Sequence, residues 1–141
     1  MLKAIMLLAL TGLAPPETYE PSRYWEGQVW EYHVRPGDEG SLLRIQAIEP
    51  WSGGDGRIYH ITVIGVRLNG HAVVPIQHLP VSAETLNASV TREVVSDAAF
   101  PSAEEGIAIW RADRGGVFTI PLSQIVDMFE RMVGPQQAPV S

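Results

Sequence analysis

The chain has 141 residues, no cysteine and a formal net charge of −6 at pH 7. This length suits a single domain. Without cysteine, the chain cannot form disulfides, thiolate metal sites or a cysteine nucleophile. The acidic balance argues against a nucleic-acid backbone as the partner, because phosphate binding needs clustered cations.

Residues 1–20 are predicted to be an N-terminal extension or a signal-like segment ahead of the domain. Lys3 and the apolar run 4–10 resemble a short signal peptide. The two prolines that follow Ala14 would hinder cleavage there. The apolar run is far too short to cross a bilayer as a helix. The sequence therefore predicts no membrane span and leaves a cytoplasmic and an exported, periplasmic location both open.

Residues 21–134 are predicted to form one α+β domain around an antiparallel meander sheet of four or five strands. Alternating apolar and polar side chains, which are typical of half-buried strands, mark four segments. These are residues 28–35, 42–49, 57–68 and 71–77. Asn69-Gly70 is a strong hairpin signal, since both residues tolerate positive φ. Pro75 cannot donate a hydrogen bond to a neighbouring strand, so it places the fourth strand at a sheet edge.

Aligning the apolar faces of the strands predicts their register, because a slip of one residue would turn a whole strand over. The alignment places Tyr32 opposite Ile45 and Trp30 opposite Ala47. It also predicts that Tyr32, Ile45 and Ile61 are buried together on one face of the sheet.

About three helices are predicted, mainly C-terminal to the sheet. Ser82 is a good N-cap for the first helix. Leu86, Val90 and Val94 form the one-sided apolar stripe of that helix. The other two helices are predicted over residues 101–114 and 123–133, with a short fifth strand over residues 117–120 between them. Residues 135–141 should form a loose tail.

The second face of the predicted sheet carries a group of polar side chains between apolar ends, which we call the polar patch. Its members with functional chemistry are Glu31, His33, Arg44 and His60, and Gln46 and Thr62 accompany them. This pattern indicates partial cover by a helix or a partner. One interpretation is a pH-sensitive anion or carboxylate site, or an acid–base pair beside an arginine that holds the substrate. The other is a solvated sheet face with ordinary cross-strand pairing.

Metal and cofactor signatures are missing from the sequence. His60, His71 and His78 do not have the spacing of known zinc motifs. The acidic glycine loops do not follow the alternating acidic pattern of calcium loops. The sequence also has no nucleophile elbow, phosphate loop or dinucleotide fingerprint. It therefore predicts neither a metal nor a cofactor.

Two segments at the start of the sheet resemble the opening of a group of small uncharacterised bacterial proteins. They are Gly27-Gln28-Val29-Trp30-Glu31-Tyr32 and Arg35-Pro36-Gly37-Asp38-Glu39. Segments 78–82 and 116–120 are similar too. The resemblance covers most of residues 25–133 and implies no activity. Since the members of this group begin near the first strand, the resemblance questions whether residues 1–20 belong to the mature domain.

Small size, negative charge and missing catalytic signatures favour a non-enzymatic protein-binding module. An acidic immunity-type inhibitor of another bacterial protein is one form of such a module. Trp51 lies in a loop beside Gly53 and Gly54 and is the candidate for an exposed anchor at an interface. The alternative is a small-ligand binder or a small enzyme that uses the polar patch, and a purely structural accessory protein is a third. The sequence does not fix the partner, the substrate or the oligomeric state.

Overall fold

The computed structural model describes residues 22–69 and 72–133. Within them the chain forms an α+β fold, an antiparallel five-stranded sheet with three helices that all follow the fourth strand. The strands are β1 (Val29–Tyr32), β2 (Leu42–Pro50), β3 (Arg57–Leu68), β4 (Ala72–Val81) and β5 (Val90–Val94). The helices are α1 (Ala83–Ser89), α2 (Glu104–Ala112) and α3 (Leu122–Val133). The predicted N-terminal extension, the C-terminal tail and the hairpin residues 70 and 71 lie outside the described residues.

The strand order is β4-β3-β2-β1-β5, so the predicted meander of the first four strands is confirmed. β4 lies at an edge of the sheet, where Pro75 placed it. β3 has its predicted bounds. β4 runs on to Val81, four residues past its predicted end, because Leu79 and Val81 continue its buried face.

The predicted register between β1 and β2 is wrong by four residues. Trp30 lies opposite Leu43 and not opposite Ala47. The pairing extends back before β1, where the Ile45 N–H donates to the Gln28 carbonyl at 3.0 Å. The connection between the two strands is correspondingly longer than the turn that the glycines suggested.

The predicted buried face of the sheet is still correct, because a shift of four residues is even and leaves each side chain on its predicted side. Tyr32, Ile45 and Ile61 lie in one core, as predicted. The helices α1 and α3 cover this face with Leu86 and Ile125, which are fully buried.

The predicted continuation of α1 through Val90 and Val94 is wrong. α1 begins after Ser82, whose side chain accepts the Thr85 N–H at 3.2 Å as an N-cap should. It ends at Ser89, and the chain then forms β5 on the free edge of β1. A spacing of four residues fits a helix face and a strand face equally well. Here the β-branched residues and the open strand edge decide in favour of the strand.

The predicted fifth strand over residues 117–120 is also wrong. Phe118 makes an isolated parallel bridge to Val81 at the outer edge of β4. Its N–H donates to the Pro80 carbonyl at 3.0 Å, and its own carbonyl accepts the Ser82 N–H at 2.9 Å. Pro121 follows after two residues, and a proline cannot donate to extend such pairing.

Arg35 joins α3 to the loops at one end of the sheet. Its Nε donates to the buried carboxylate of Asp38 at 2.8 Å. Its Nη1 donates to Asp127 at 3.1 Å and to Glu130 at 2.8 Å, both on α3. Its Nη2 donates to the Arg67 carbonyl at 2.8 Å. One guanidinium therefore fixes α3 against β3 and the β1–β2 loop.

The second face of the sheet is covered by the segment 98–103 and by α2. Ile58 of β3, Ala103 just before α2 and Ile107 of α2 are buried there, apart from the main core. Among the described residues, every helix is too short or too polar to cross a bilayer.

Candidate functional site

A β-bulge at Gln46 decides which side chains of β2 face the covered side of the sheet. Ile45 pairs with Ile61, but Ala47 pairs with His60, so β2 uses one residue more than β3 at this point. Strict alternation would place Glu49 on the core face. The bulge turns it to the side of His60.

Glu49, His60 and His78 form a hydrogen-bonded chain across β2, β3 and β4, which we call the Glu-His-His chain. The Nε2 atom of His60 lies 2.5 Å from the Glu49 Oε2. Its Nδ1 atom lies 2.8 Å from the His78 Nε2. His60 is fully buried, whereas Glu49 and His78 are partly exposed. Both ring nitrogens of His60 are therefore used inside the protein.

The hydrogen bonds indicate one arrangement of protons at neutral pH. Burial alone would raise the pKa of Glu49, but hydrogen bonds from His60 and Arg111 outweigh it, so this pKa lies below its ordinary value. The ionised Glu49 accepts, so the Nε2 of His60 carries a proton. A neutral His60 then accepts at Nδ1, and the Nε2 of His78 donates to it. This leaves the Nδ1 of His78 without a proton.

Both histidines resist further protonation. Burial lowers the pKa of His60, against an opposing effect of Glu49. Burial also lowers the pKa of His78 to about 4, and the neighbouring His60 acts in the same direction. A low-dielectric surrounding disfavours the charged imidazolium, which explains both directions.

α2 packs directly on the Glu-His-His chain. The Trp110 ring meets the His60 ring edge-on with centroids 5.0 Å apart, and the His78 ring at 6.3 Å. Arg111 donates to Glu49 at 3.0 Å. Gly106 lies so close that a Cβ there would be 2.6 Å from the His78 Cβ. Gly106, Trp110 and Arg111 of one helix thus all contact the Glu-His-His chain.

Gln46 and Thr62 of the polar patch are hydrogen-bonded to each other, to β4 and to the segment that leads into α2. The Pro101 carbonyl accepts from the Gln46 side chain at 3.1 Å. Thr62 donates to the Gln77 carbonyl at 2.8 Å and also accepts from Gln46 at 3.0 Å. Of the partial cover by a helix or a partner that was predicted, α2 and the segment before it cover His60, Gln46 and Thr62.

The structure separates the members of the predicted polar patch. Glu31 pairs with Arg92 of β5 at 3.0 Å in an exposed ion pair, and His33 is exposed. The Nε of Arg44 is buried and has no hydrogen-bond partner among residues 22–69 and 72–133. Only His60 of this set lies in the Glu-His-His chain. Trp51 is half-buried, with its ring over Gly53.

Sequence reasoning missed Glu49 and Trp110 as neighbours of His60, and it considered His78 beside His60 only as a possible metal ligand. The bulge that turns Glu49 has no glycine or proline to mark it. His78 fell beyond the predicted end of the fourth strand. Gly106 was a usable signal, since a glycine inside a predicted helix points to a close approach by another element.

The described residues contain no group of three or more histidine, aspartate or glutamate side chains arranged to hold a metal ion. In the Glu-His-His chain, the two ring nitrogens that face each other share a hydrogen bond at 2.8 Å. A zinc ion needs about 2.0–2.1 Å to each nitrogen and would force them apart. This arrangement suits proton sharing.

A shallow groove of about 350 Å³ lies beside Trp110, and we call it the Trp110 groove. It is lined almost wholly by apolar groups of Pro80, Trp110, Gly116, Val117 and Phe118. The Trp110 Nε1–H donates to the Gly116 carbonyl at 2.9 Å, which fixes the indole. The groove is thus preformed, and the Glu-His-His chain lies behind its aromatic wall.

The chain was compared with protein-family models, with curated proteins and with solved structures, and none of the three comparisons found a match.

Proposed function

We propose that the protein is a non-enzymatic binding module that takes an apolar side chain of a basic protein partner into the Trp110 groove. The observation that carries this proposal is the groove itself, which is open, apolar and walled by a fixed indole. Protein interfaces depend on a few aromatic contacts in apolar pockets. Open, shallow grooves suit a side chain presented by another protein better than a small molecule, which prefers an enclosed cavity.

Charge supports a basic partner. The formal net charge of −6 would attract a positively charged protein over distances longer than direct contacts. Such attraction mainly raises the association rate, and the apolar anchor then slows dissociation. On α2, Ile109 precedes Trp110 and is 57% exposed, which adds apolar surface to the same helix. An acidic immunity-type inhibitor is one form of this function.

A random peptide library displayed on phage tests the proposal. The protein is panned against the library, and selected peptides are measured on the wild type, on Val117→Asp and on the matched control Thr119→Asp. Val117 lines the groove, whereas Thr119 is exposed outside it. Thermal unfolding first establishes that both variants are folded.

We expect peptides with an aromatic or aliphatic anchor beside lysine or arginine. They should bind the wild type and Thr119→Asp alike, and bind Val117→Asp at least ~10-fold more weakly. Their affinity should fall as salt rises. A library that yields no binders, or binders that do not distinguish Val117→Asp, would contradict the proposal.

The Glu-His-His chain favours a second candidate, a small-ligand binder or small enzyme. Its specific support is the unprotonated Nδ1 of the partly exposed His78, which can accept a proton from a donor group. Phenol is a suitable probe, because it combines a donor with an aromatic ring. A saturable shift of the His78 ring signals in NMR on phenol addition would support this candidate, and unchanged signals would remove it.

A further inference from the structure

We propose that the Glu-His-His chain is a proton-operated latch, which holds α2, and with it the Trp110 wall of the groove, on the sheet at neutral pH and weakens this attachment in mild acid. This inference rests on the proposed function, because it makes the binding groove dependent on pH. The latch concerns the position of α2 and can be observed without any partner.

Three residues of α2 contact the Glu-His-His chain, beside Ile107 of the same helix, which is buried on this face of the sheet. Gly106 packs on His78, and Trp110 packs edge-on against His60 at 5.0 Å between centroids. Arg111 donates to Glu49 at 3.0 Å. Trp110 is at the same time a wall of the groove. A change in the Glu-His-His chain therefore reaches the Trp110 groove through Trp110 itself.

An added proton has one place to go. Both ring nitrogens of His60 are engaged with Glu49 and His78. The proton must then enter at the Nδ1 of His78, which lies beneath the first turn of α2, 3.2 Å from where a Cβ of Gly106 would be. A cation there loses hydration and lies beside the first turn of α2, the end of a helix that carries partial positive charge.

The charged and titratable groups around His78 come from three elements. Glu49 of β2 favours the cation, and His60 of β3 opposes it. On α2, Arg111 is a further positive charge held at Glu49. The first turn of α2 also carries Glu104 and Glu105, which are exposed to solvent and therefore screened.

The direction of the pH effect follows from these groups. When α2 is released, His78 is hydrated and regains an ordinary pKa of about 6.5. While α2 is docked, burial holds the pKa of His78 at about 4. The released form therefore takes up a proton first as pH falls, and docking weakens between pH 6.5 and 4. From pH 7 to pH 5 the opening equilibrium should rise ~20-fold.

Amide hydrogen exchange of residues 107–113 tests the latch in the whole chain. Protection factors, corrected for the intrinsic pH dependence of exchange, are measured at pH 7 and pH 5. We expect the wild type to lose ~20-fold in protection at pH 5. His78→Gln keeps a side-chain donor for His60 but cannot titrate, so its protection should change less than ~2-fold. His33→Gln removes an exposed histidine that is not part of the Glu-His-His chain, and it should behave as the wild type.

Protection that is equal at pH 7 and pH 5 in the wild type, or an undiminished loss in His78→Gln, would overturn the latch. If His78→Gln does not fold, NMR titration of the histidine rings in the wild type decides instead, and an ordinary pKa for His78 would overturn it. Peptides that bind the groove equally at both pH values would also count against it. Failure of the peptide selection, with a working latch, would contradict only the proposed function.

Discussion

Gly106 of α2 lies against His78 of β4 so closely that a Cβ at position 106 would be 2.6 Å from the His78 Cβ. Such a contact is possible only without a side chain, and it sets the distance between the helix and the sheet. It also explains why a glycine is present inside α2, where alanine would stabilise an isolated helix by about 1 kcal/mol.

Gly106→Ala should destabilise the protein, because overpacking costs about 1–3 kcal/mol and outweighs the gain in helix propensity. We expect a net loss of up to about 2 kcal/mol in the free energy of unfolding, measured by urea denaturation. Gly116→Ala is the matched control, since a Cβ there meets nothing within 4 Å. A Gly106→Ala protein as stable as Gly116→Ala would show that α2 does not dock as described.

The overall stability should also depend on pH through the two histidines of the Glu-His-His chain. Burial lowers the pKa of His60, and it lowers that of His78 to about 4. The unfolded chain, with an ordinary histidine pKa of about 6.5, binds protons first. Stability is therefore full above pH 6.5, and it falls as the pH approaches 4.

We expect the free energy of unfolding to fall by about 1–3 kcal/mol from pH 7 to pH 4.5. Urea denaturation at both values measures this, and His78→Gln should reduce the difference while His33→Gln leaves it unchanged. Carboxylates also titrate near pH 4.5, so the test depends on comparing the pH dependence of His78→Gln with that of His33→Gln. Equal pH dependence in both variants would assign the effect to groups outside the Glu-His-His chain.

The strands of the sheet could be predicted because the side-chain pattern that marks each strand lies within one short segment. In β3, the apolar residues Tyr59, Ile61 and Val63 alternate with His60 and Thr62, and loops rich in glycine or asparagine bound the strand. The register error between β1 and β2 arose in the connection, where the buried Asp38 accepts the Arg67 N–H of β3 at 2.9 Å. A contact to a distant strand cannot be inferred from turn residues alone.

The site could be predicted only in part, because it depends on tertiary contacts. His60 was recognised from its position on the second face of the sheet. Its partner Glu49 reaches that face through a bulge at Gln46, and alternation alone predicts the opposite side. Trp110 arrives from a helix that begins more than forty residues after His60. No local sequence pattern predicts where such a helix docks.

Replacing Arg35 should weaken the attachment of α3. Arg35→Met would leave the buried carboxylate of Asp38 without its charged partner and remove two bonds to α3. Breaking a buried pair in this way costs about 3 kcal/mol. Asp127→Asn is the comparison, because Asp127 is half-exposed and such pairs contribute less than about 1 kcal/mol. Thermal unfolding of both variants measures the difference, and similar melting temperatures would contradict the role given to Arg35.

Substitution of two carboxylates on the second face of the sheet should have very different effects on stability and on the His60 ring. Glu49 accepts from His60 and Arg111 under α2, whereas Glu31 pairs with Arg92 in solvent. Glu49→Gln removes the charge that favours protonation of His60, so the pKa of that ring should fall further. The protein should lose about 1–3 kcal/mol in stability, because buried partners are left poorly satisfied.

Glu31→Gln should cost less than about 1 kcal/mol and leave the His60 signals unchanged, since exposed ion pairs contribute little. NMR titration of the histidine rings and urea denaturation measure both effects in the same samples. The reverse ranking would place the functional role at the exposed Glu31, a member of the predicted polar patch. The predicted ranking would instead place it under α2, because the bulge in β2 gives Glu49 a buried histidine as its partner.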